Sequence, residues 1–186
     1  MNWTLISMPR LAFREFHAED FEQIHAYAAN PKTSLHQAWG PNSIQDTQEF
    51  LKLATSQQLD PNRFEFNVAI VTKSNNNIIG SGHILLSTHS DANIGYSLNP
   101  DHWGQGYGTE AARGLMSASF NQMNAKRVVA TVGSENIGSI RVLEKIGMLR
   151  EAFYEKDVQL RDRLRDSYLY AVSRKEFLRQ KINVSV

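Results

Sequence analysis

The sequence predicts a single α/β domain, α+β in layout: a mixed, mostly antiparallel sheet of about seven strands with a parallel pair at its centre and about four helices on its faces. Three observations predict it. β-rich runs at 64–71 and 78–86, with a third entering at Ile94, are separated by short polar turns, which makes an antiparallel meander. The third run passes through a turn holding Gly104, Gly106 and Gly108 into the clearest apolar periodicity of the chain, where Ala112, Leu115, Met116, Ser119, Phe120 and Met123 form one stripe. The short β-branched run Arg127–Val132 comes next, and strand–helix–strand order makes a right-handed crossover that lays it parallel to the strand before the turn.

The other elements follow from the same rules. Arg10–Phe16 alternates as a strand with both faces partly buried, Leu11, Phe13 and Glu15 on one side and Ala12, Arg14 and Phe16 on the other. From Glu19 the positions Phe21, Ile24, His25 and Ala28 keep a helical rhythm that Asn30-Pro31 stops. Pro41-Asn42-Ser43 signals the start of a second helix, about 44–58, with Phe50, Leu51 and Ala54 inward. The turn 73–77, KSNNN, is rich in residues that tolerate left-handed φ. A helix at about 137–146 turns Ile140, Leu143 and Ile146 inward, ends at Gly147, and carries Lys145 where a cation suits the helix C-terminus. Runs at 154–158 and 166–172 supply the last two strands. The whole of 1–186 reads as one domain without repeat or linker.

Composition narrows the function. With no cysteine there is no disulfide framework, thiolate metal site or cysteine nucleophile, which agrees with a reducing, cytoplasmic setting. Twenty Lys and Arg against 19 Asp and Glu give a net charge of +1, so no global field draws in nucleic acid. No apolar run of membrane-spanning length occurs, and the first ten residues lack the pattern of an export signal. The expectation is a soluble, cytoplasmic protein with no metal, no nucleic-acid partner and no membrane. Arg161, Arg163 and Arg165 form a local basic cluster, but interleaved Asp162 and Asp166 make it read as a solvated hairpin tip, or else as a patch for an acidic region of a protein substrate. Trp39, between two helices, reads as a plug over the core or as the wall of a pocket.

The stretch IGYSLNPDHWGQGYGT, 94–109, is where chemistry enters. Alternate glycines free the turn of side chains so that backbone N–H groups can point together, and a helix opening near Thr109 adds its first-turn amides and the positive end of its dipole. That is an anion site fit for a diphosphate. Glycines between a strand and a helix are also ordinary loop chemistry, and neither a Walker-type loop nor the dinucleotide pattern is present.

A second stretch, NIGSIRVLEKIGM at 136–148, decides between these readings. Together, WGQGYGTEA and ENIGSIRVLEKIGM resemble the two acetyl-CoA-binding motifs of the GNAT N-acetyltransferases, with Gly106 and Gly108 at the two glycine positions and Asn136 and Ser139 at the Asn and Ser. The resemblance runs from RLAFREF to DSYLYAVSRKEF, implies a GNAT-like single domain, and looks closest to the branch of ribosomal-protein N-terminal (alanine or serine) acetyltransferases. Through it, Trp103, Gln105, Gly106, Tyr107, Gly108 and Thr109 are expected to hold the pyrophosphate of acetyl-CoA. The amide of Leu98 would face the acetyl oxygen, and the pantetheine arm would lie between the strands at 94–98 and 127–132. Asn136 would bond the arm, and Ser139 would stand near the sulfur as a proton donor. Read as residues alone, Asn136 and Ser139 are equally an ordinary cap and a first-turn residue. Arg141 and Lys145 are candidates for the adenosine phosphate. The resemblance also allows a homodimer.

The expected activity is direct transfer of an acetyl group from acetyl-CoA to a primary amine in a ternary complex. The acceptor is a protein N-terminus of ribosomal-protein type, or a small amine such as a polyamine, amino acid or antibiotic. Rival readings are a non-catalytic acyl-CoA sensor and an ATP-binding protein. The general base stays open. The branch carries Glu just before the Ile-Gly-Tyr strand, whereas this chain has Asn93, which cannot accept a proton in that role. Glu65, His83 and Tyr170 are the remaining side-chain candidates, with water as a further one.

Overall fold

The computed structural model describes residues 6–184. Its strands are β1 (Ile6–Ser7), β2 (Leu11–Glu15), β3 (Glu65–Thr72), β4 (Ile78–Leu86), β5 (Asp91–Leu98), β6 (Arg127–Gly133), β7 (Leu149–Gln159) and β8 (Leu164–Ser173). They form one sheet in the order β1-β2-β3-β4-β5-β6-β8-β7, antiparallel except for the β5–β6 pair near its centre. The helices are α1 (Phe21–Ala28), α2 (Ile44–Gln57), α3 (Tyr107–Asn121), α4 (Ile137–Lys145) and α5 (Arg174–Val184). The predicted α/β layout holds, with eight strands in place of about seven.

Alternation along the strands divides the side chains between two cores. On one face Leu11, Phe13, Phe66, Val68, Ile70, Ile84, Ile94, Val128 and Val172 pack under α3, α4 and α5; on the other Ala69, Val71 and Ile78 pack under α1 and α2. α3 supplies the largest share, burying Ala111, Ala112, Leu115, Met116, Ala118 and Phe120. α2 begins as the sequence proposed, with a capping box in which the Ser43 side chain accepts from Asp46 N and Asp46 accepts from Ser43 N at 2.8 Å.

Four differences from the sequence reading have local causes. β1 is two residues long, too short for any periodicity to announce it. α5 has no regular apolar stripe; it is held through Phe177, which stacks on Phe120 with ring centroids 4.6 Å apart. β7 spans 149–159 and not only 154–158, because pairing with β8 continues through two register shifts that blur alternation. α3 starts at Tyr107, two residues before Thr109, so Gly108 lies in its first turn and not in the loop.

One ionic contact ties the start of the chain to this helix. The Glu110 carboxylate, 8% exposed, accepts from the Arg10 and Leu11 backbone amides at 2.6 and 3.1 Å and from Arg10 Nε at 2.7 Å. Removing a buried acceptor strands donors as well as losing bonds. Glu110→Ala is therefore expected to cost about 3 kcal/mol of stability, measured by urea titration. Among the described residues, no helix is long and apolar enough to cross a membrane.

Candidate active site

The site begins with a break in pairing. β5 and β6 run parallel over only three residue pairs, Asp91–Arg127, Ala92–Val128 and Asn93–Val129. Beyond them the free backbone can be worked out. Ser87 N donates to Asp91 O and Asn99 N to Ile79 O, each at 2.8 Å. Paired positions alternate along an antiparallel ladder, so the odd-numbered residues of β5 bond β4, and Tyr96 and Leu98 turn their backbone groups away from it. On β6, Arg174 N donates to Lys126 O and Ser134 N to Asp166 O, so the even residues bond β8 and Thr131 and Gly133 face β5. The Leu98 carbonyl accepts from Trp103 Nε1 at 3.0 Å and the Gly133 carbonyl from Asn136 N at 2.9 Å. The Leu98 and Gly133 amides and both backbone groups of Tyr96 and Thr131 are left facing the gap. At its upper end β5 lies so close to β4 that a Cβ on Gly80 would stand 2.1 Å from the Ser97 carbonyl oxygen, a spacing only glycine permits.

Above the gap stands the glycine turn. Gly104 and Gly106 have φ of +74° and +82°, so these two positions need glycine for conformation; Gly108 does not. Gly106 is the N-cap of α3 and offers no side-chain bond to the first-turn amides, whereas Ser43 caps α2 and Asn136 caps α4. The N-terminus of the longest helix thus keeps its positive end for something else. Arg10 reinforces it. Its guanidinium donates to the Gln105 carbonyl at 2.9 Å and lies 4.3 Å above the Tyr107 ring. The Gln105 side chain folds back to the Asp101 carbonyl at 3.1 Å. Gly108 packs beside Tyr96: a Cβ there would lie 3.3 Å from the Tyr96 hydroxyl, which itself bonds Ser139. Burial raises the Tyr96 hydroxyl above its ordinary value and the Ser139 bond works against that, so it stays protonated at neutral pH.

The gap opens through the sheet into a cavity of about 1050 Å³. Ala112, Asn136, Ser139 and Leu143 line it on the α3/α4 side; Tyr27, Trp39, Phe50, Glu65, His83 and Arg165 line it on the other. The two faces of the sheet therefore communicate between β5 and β6. His83 lies opposite Gly95 in the β4–β5 register, and a Cβ on Gly95 would stand 2.2 Å from His83 Cε1, so the imidazole lies over the glycine. Solvent reaches the ring from the cavity, but surrounding protein atoms lower its pKa by desolvation while Glu65 works to raise it. The Glu65 carboxylate is held by Gln57 Nε2 at 3.0 Å and Asn67 Nδ2 at 3.2 Å. Tyr27, fully buried and bonded to Ser81, has its hydroxyl pushed up to about 12 by burial.

Residues 10–149 match the acetyltransferase (GNAT) domain. The chain belongs to the GNAT acetyltransferase family. An uncharacterized N-acetyltransferase of Bacillus subtilis, YnaD, is 30% identical over 92% of this chain and 98% of its own. The crystal structure of a GNAT-family acetyltransferase from Bacillus anthracis superposes with a TM-score of 0.82 at 27% identity, covering 92% of this chain and 99% of that one. A spermidine N-acetyltransferase from Vibrio cholerae, solved with CoA and spermine, has the same fold at 19% identity and a TM-score of 0.79, covering 91% and 98%.

Within this GNAT domain the sequence-predicted residues fall into two groups. Gly106, Tyr107, Gly108 and Thr109 stand together at the start of α3, with Gln105 just before it. Asn136 and Ser139 stand at the start of α4, where Asn136 Oδ1 caps the Ser139 amide at 3.1 Å. The two groups meet through Tyr96. Trp103 is half exposed and reaches the site through its bond to Leu98 O. Arg141 and Lys145 are exposed on α4. Tyr170 is on the α4 side of the sheet, 2% exposed, with its hydroxyl 3.1 Å from Glu144 Oε1; it does not line the cavity.

Arg10 and Tyr96 were missed as site residues, and so was the work of the arginine hairpin. Nothing near Arg10 in sequence hints at a contact with Gln105. Tyr96 was legible as one member of an apolar strand face and no more. Arg163 is exposed at the hairpin tip as expected, paired with Glu135 at 2.7 Å, but Arg161 and Arg165 do more. Arg161 donates to the Gly40 carbonyl and to Ser34 O at 3.3 Å, and Arg165 donates to His36 O at 2.7 Å. Between them they clasp the segment that carries Trp39 over the cavity. Arg161→Ala is expected to raise amide hydrogen exchange across 34–40 while lowering global stability by no more than about 1 kcal/mol, read by exchange mass spectrometry and thermal unfolding.

Proposed function

We propose that this chain transfers the acetyl group of acetyl-CoA directly to a primary amine in a ternary complex. The observation that carries the reading is the parted β5–β6 pair, whose free backbone groups line a passage joining an uncapped helix N-terminus on one face of the sheet to the cavity on the other. The first-turn amides of α3 and the Gln105–Gly106 turn suit the pyrophosphate, with the Arg10 guanidinium adding positive charge nearby. Tyr96, Leu98, Thr131 and Gly133 offer the pantetheine amides a strand-like edge on each side. The Leu98 amide polarises the thioester carbonyl, and Ser139, backed by the Tyr96 hydroxyl, gives the leaving sulfur its proton. Asn136 orients this end of α4.

The acceptor approaches from the α1/α2 side. Asp46, Glu49 and Glu65 line that half of the cavity. Their charge favours an amine arriving as a cation, as a protein N-terminus or a polyamine does. The WGQGYGTEA resemblance to the ribosomal-protein branch concerns the donor half, so a protein N-terminus and a small amine both stand as acceptors. The decisive experiment is an acceptor screen with acetyl-CoA, pairing N-terminal peptides with polyamines, amino acids and aminoglycosides, with products identified by mass spectrometry. Acetyl-CoA binding without CoA release over the whole panel would instead mark a sensor.

Gly108→Val tests the donor half separately. A branched side chain at 108 meets the Tyr96 ring at 3.3–3.6 Å, in the wall between the helix start and Ser139. Calorimetry is expected to show CoA binding weakened at least tenfold, about 1.4 kcal/mol, in a folded variant; unchanged affinity would remove the donor site from this position.

A further inference from the structure

We propose that His83 is the general base of the transfer, accepting a proton from the acceptor's ammonium group on the α1/α2 side of the gap. This rests on the transferase reading above and supplies the base that Asn93 cannot be. The position is argued from the strands. Gly82 packs on Leu115 and Val68 in the α3-side core, so alternation sends the next side chain, His83, to the opposite face and into the cavity. There the ring lies across Gly95, two residues past the last β5–β6 pair, where the two strands begin to part. Strand β5 makes this possible by having no side chain at 95. Neither ring nitrogen has a hydrogen-bond partner among the described residues, which leaves one free to accept a proton and the other free to shed it to the open cavity.

The other groups facing this space are less suited. Glu65 of β3 has both carboxylate oxygens engaged by Gln57 and Asn67. From α2, Glu49 and Asp46 line the cavity; Glu49 accepts from Gln45 Nε2 at 2.8 Å, and Asp46 is occupied in capping Ser43. Tyr27 of α1 is held protonated by burial, and Arg165 of β8 is a cation. His36 belongs to the segment whose carbonyl Arg165 holds, away from the Gly95 position where the strands part.

The step balances without a further reactant. His83 takes one ammonium proton, and the nitrogen lone pair it frees forms the C–N bond at the acetyl carbon. The C–S bond breaks, and a second nitrogen proton reaches the sulfur by way of Ser139. The third stays on the amide, and imidazolium returns its proton to solvent. A base must be neutral to act. Desolvation holds the His83 ring below its ordinary value, so the acid limb of the rate profile is expected to lie on the acid side of ordinary imidazole, with the rate level above it.

His83→Gln, assayed with an acceptor returned by the screen, is expected to lose about a hundredfold or more in kcat, to lose the acid limb of the pH profile, and to keep its affinity for CoA by calorimetry. His83→Gly with added imidazole is expected to recover part of the rate. A folded, CoA-binding His83→Gln as fast as the parent with the same acid limb overturns the proposal alone. A parent chain that acetylates no amine overturns the transferase reading and this proposal with it. Should His83→Gln fail to fold, an NMR titration of the parent's His83 Cε1–H decides. It is expected to titrate below the ordinary imidazole value and to shift when CoA is added, and a ring that titrates normally and ignores CoA overturns the assignment.

Discussion

A peptide group inside a protein must find a hydrogen-bond partner, and the molecule leaves several facing an unpaired gap at its centre. Pairing between β5 and β6 stops after Asn93–Val129, while each strand goes on bonding its outer neighbour. The sheet thereby stays continuous, yet two of its inner strands diverge around a passage. The rest of the architecture is placed by that divergence: α3 springs from the end of β5, α4 from the end of β6, and their N-termini flank the opening.

The two faces of the sheet are electrostatically unlike. On the α3/α4 side the charges gather around a helix N-terminus, where Glu110 pulls Arg10 against the turn and Arg10 in turn holds the Gln105 carbonyl. On the α1/α2 side the cavity is lined by Asp46, Glu49 and Glu65 with His83 among them. Three carboxylates thus face one arginine, Arg165, on the α1/α2 side, while the α3 side presents a helix N-terminus with the Arg10 guanidinium beside it. The hairpin of β7 and β8 closes the α1/α2 side of the cavity, since its arginines bond the carbonyls of Ser34, His36 and Gly40.

Much of this was legible in the chain. The stripe on α3, the alternation of β3 and β4 and the Ser43 cap are local signals carried by residues a turn or two apart, and each appeared where expected. The two motifs at the starts of α3 and α4 were legible for the same reason, because the start of a helix is built from consecutive residues. Boundaries slipped where register shifts extend β7 and where one glycine serves two elements. Gly106 looked like loop and is the N-cap; Gly108 looked like loop and is helix.

The acceptor side was the illegible part. Glu65, His83 and Tyr170 carry the same weight as isolated letters, and only strand register turns His83 onto Gly95 while sending Tyr170 to Glu144 on the far side of the sheet. Arg161 and Arg165 find their partners more than 120 positions away. The sequence by itself determined α1 to α4, the meander, the crossover and the glycine turn that opens α3, because periodicity and capping are short-range properties of a polymer. Which face each polar side chain meets, and which backbone groups are left without a neighbour, was decided only by tertiary structure, since both depend on pairing between segments that the chain holds far apart.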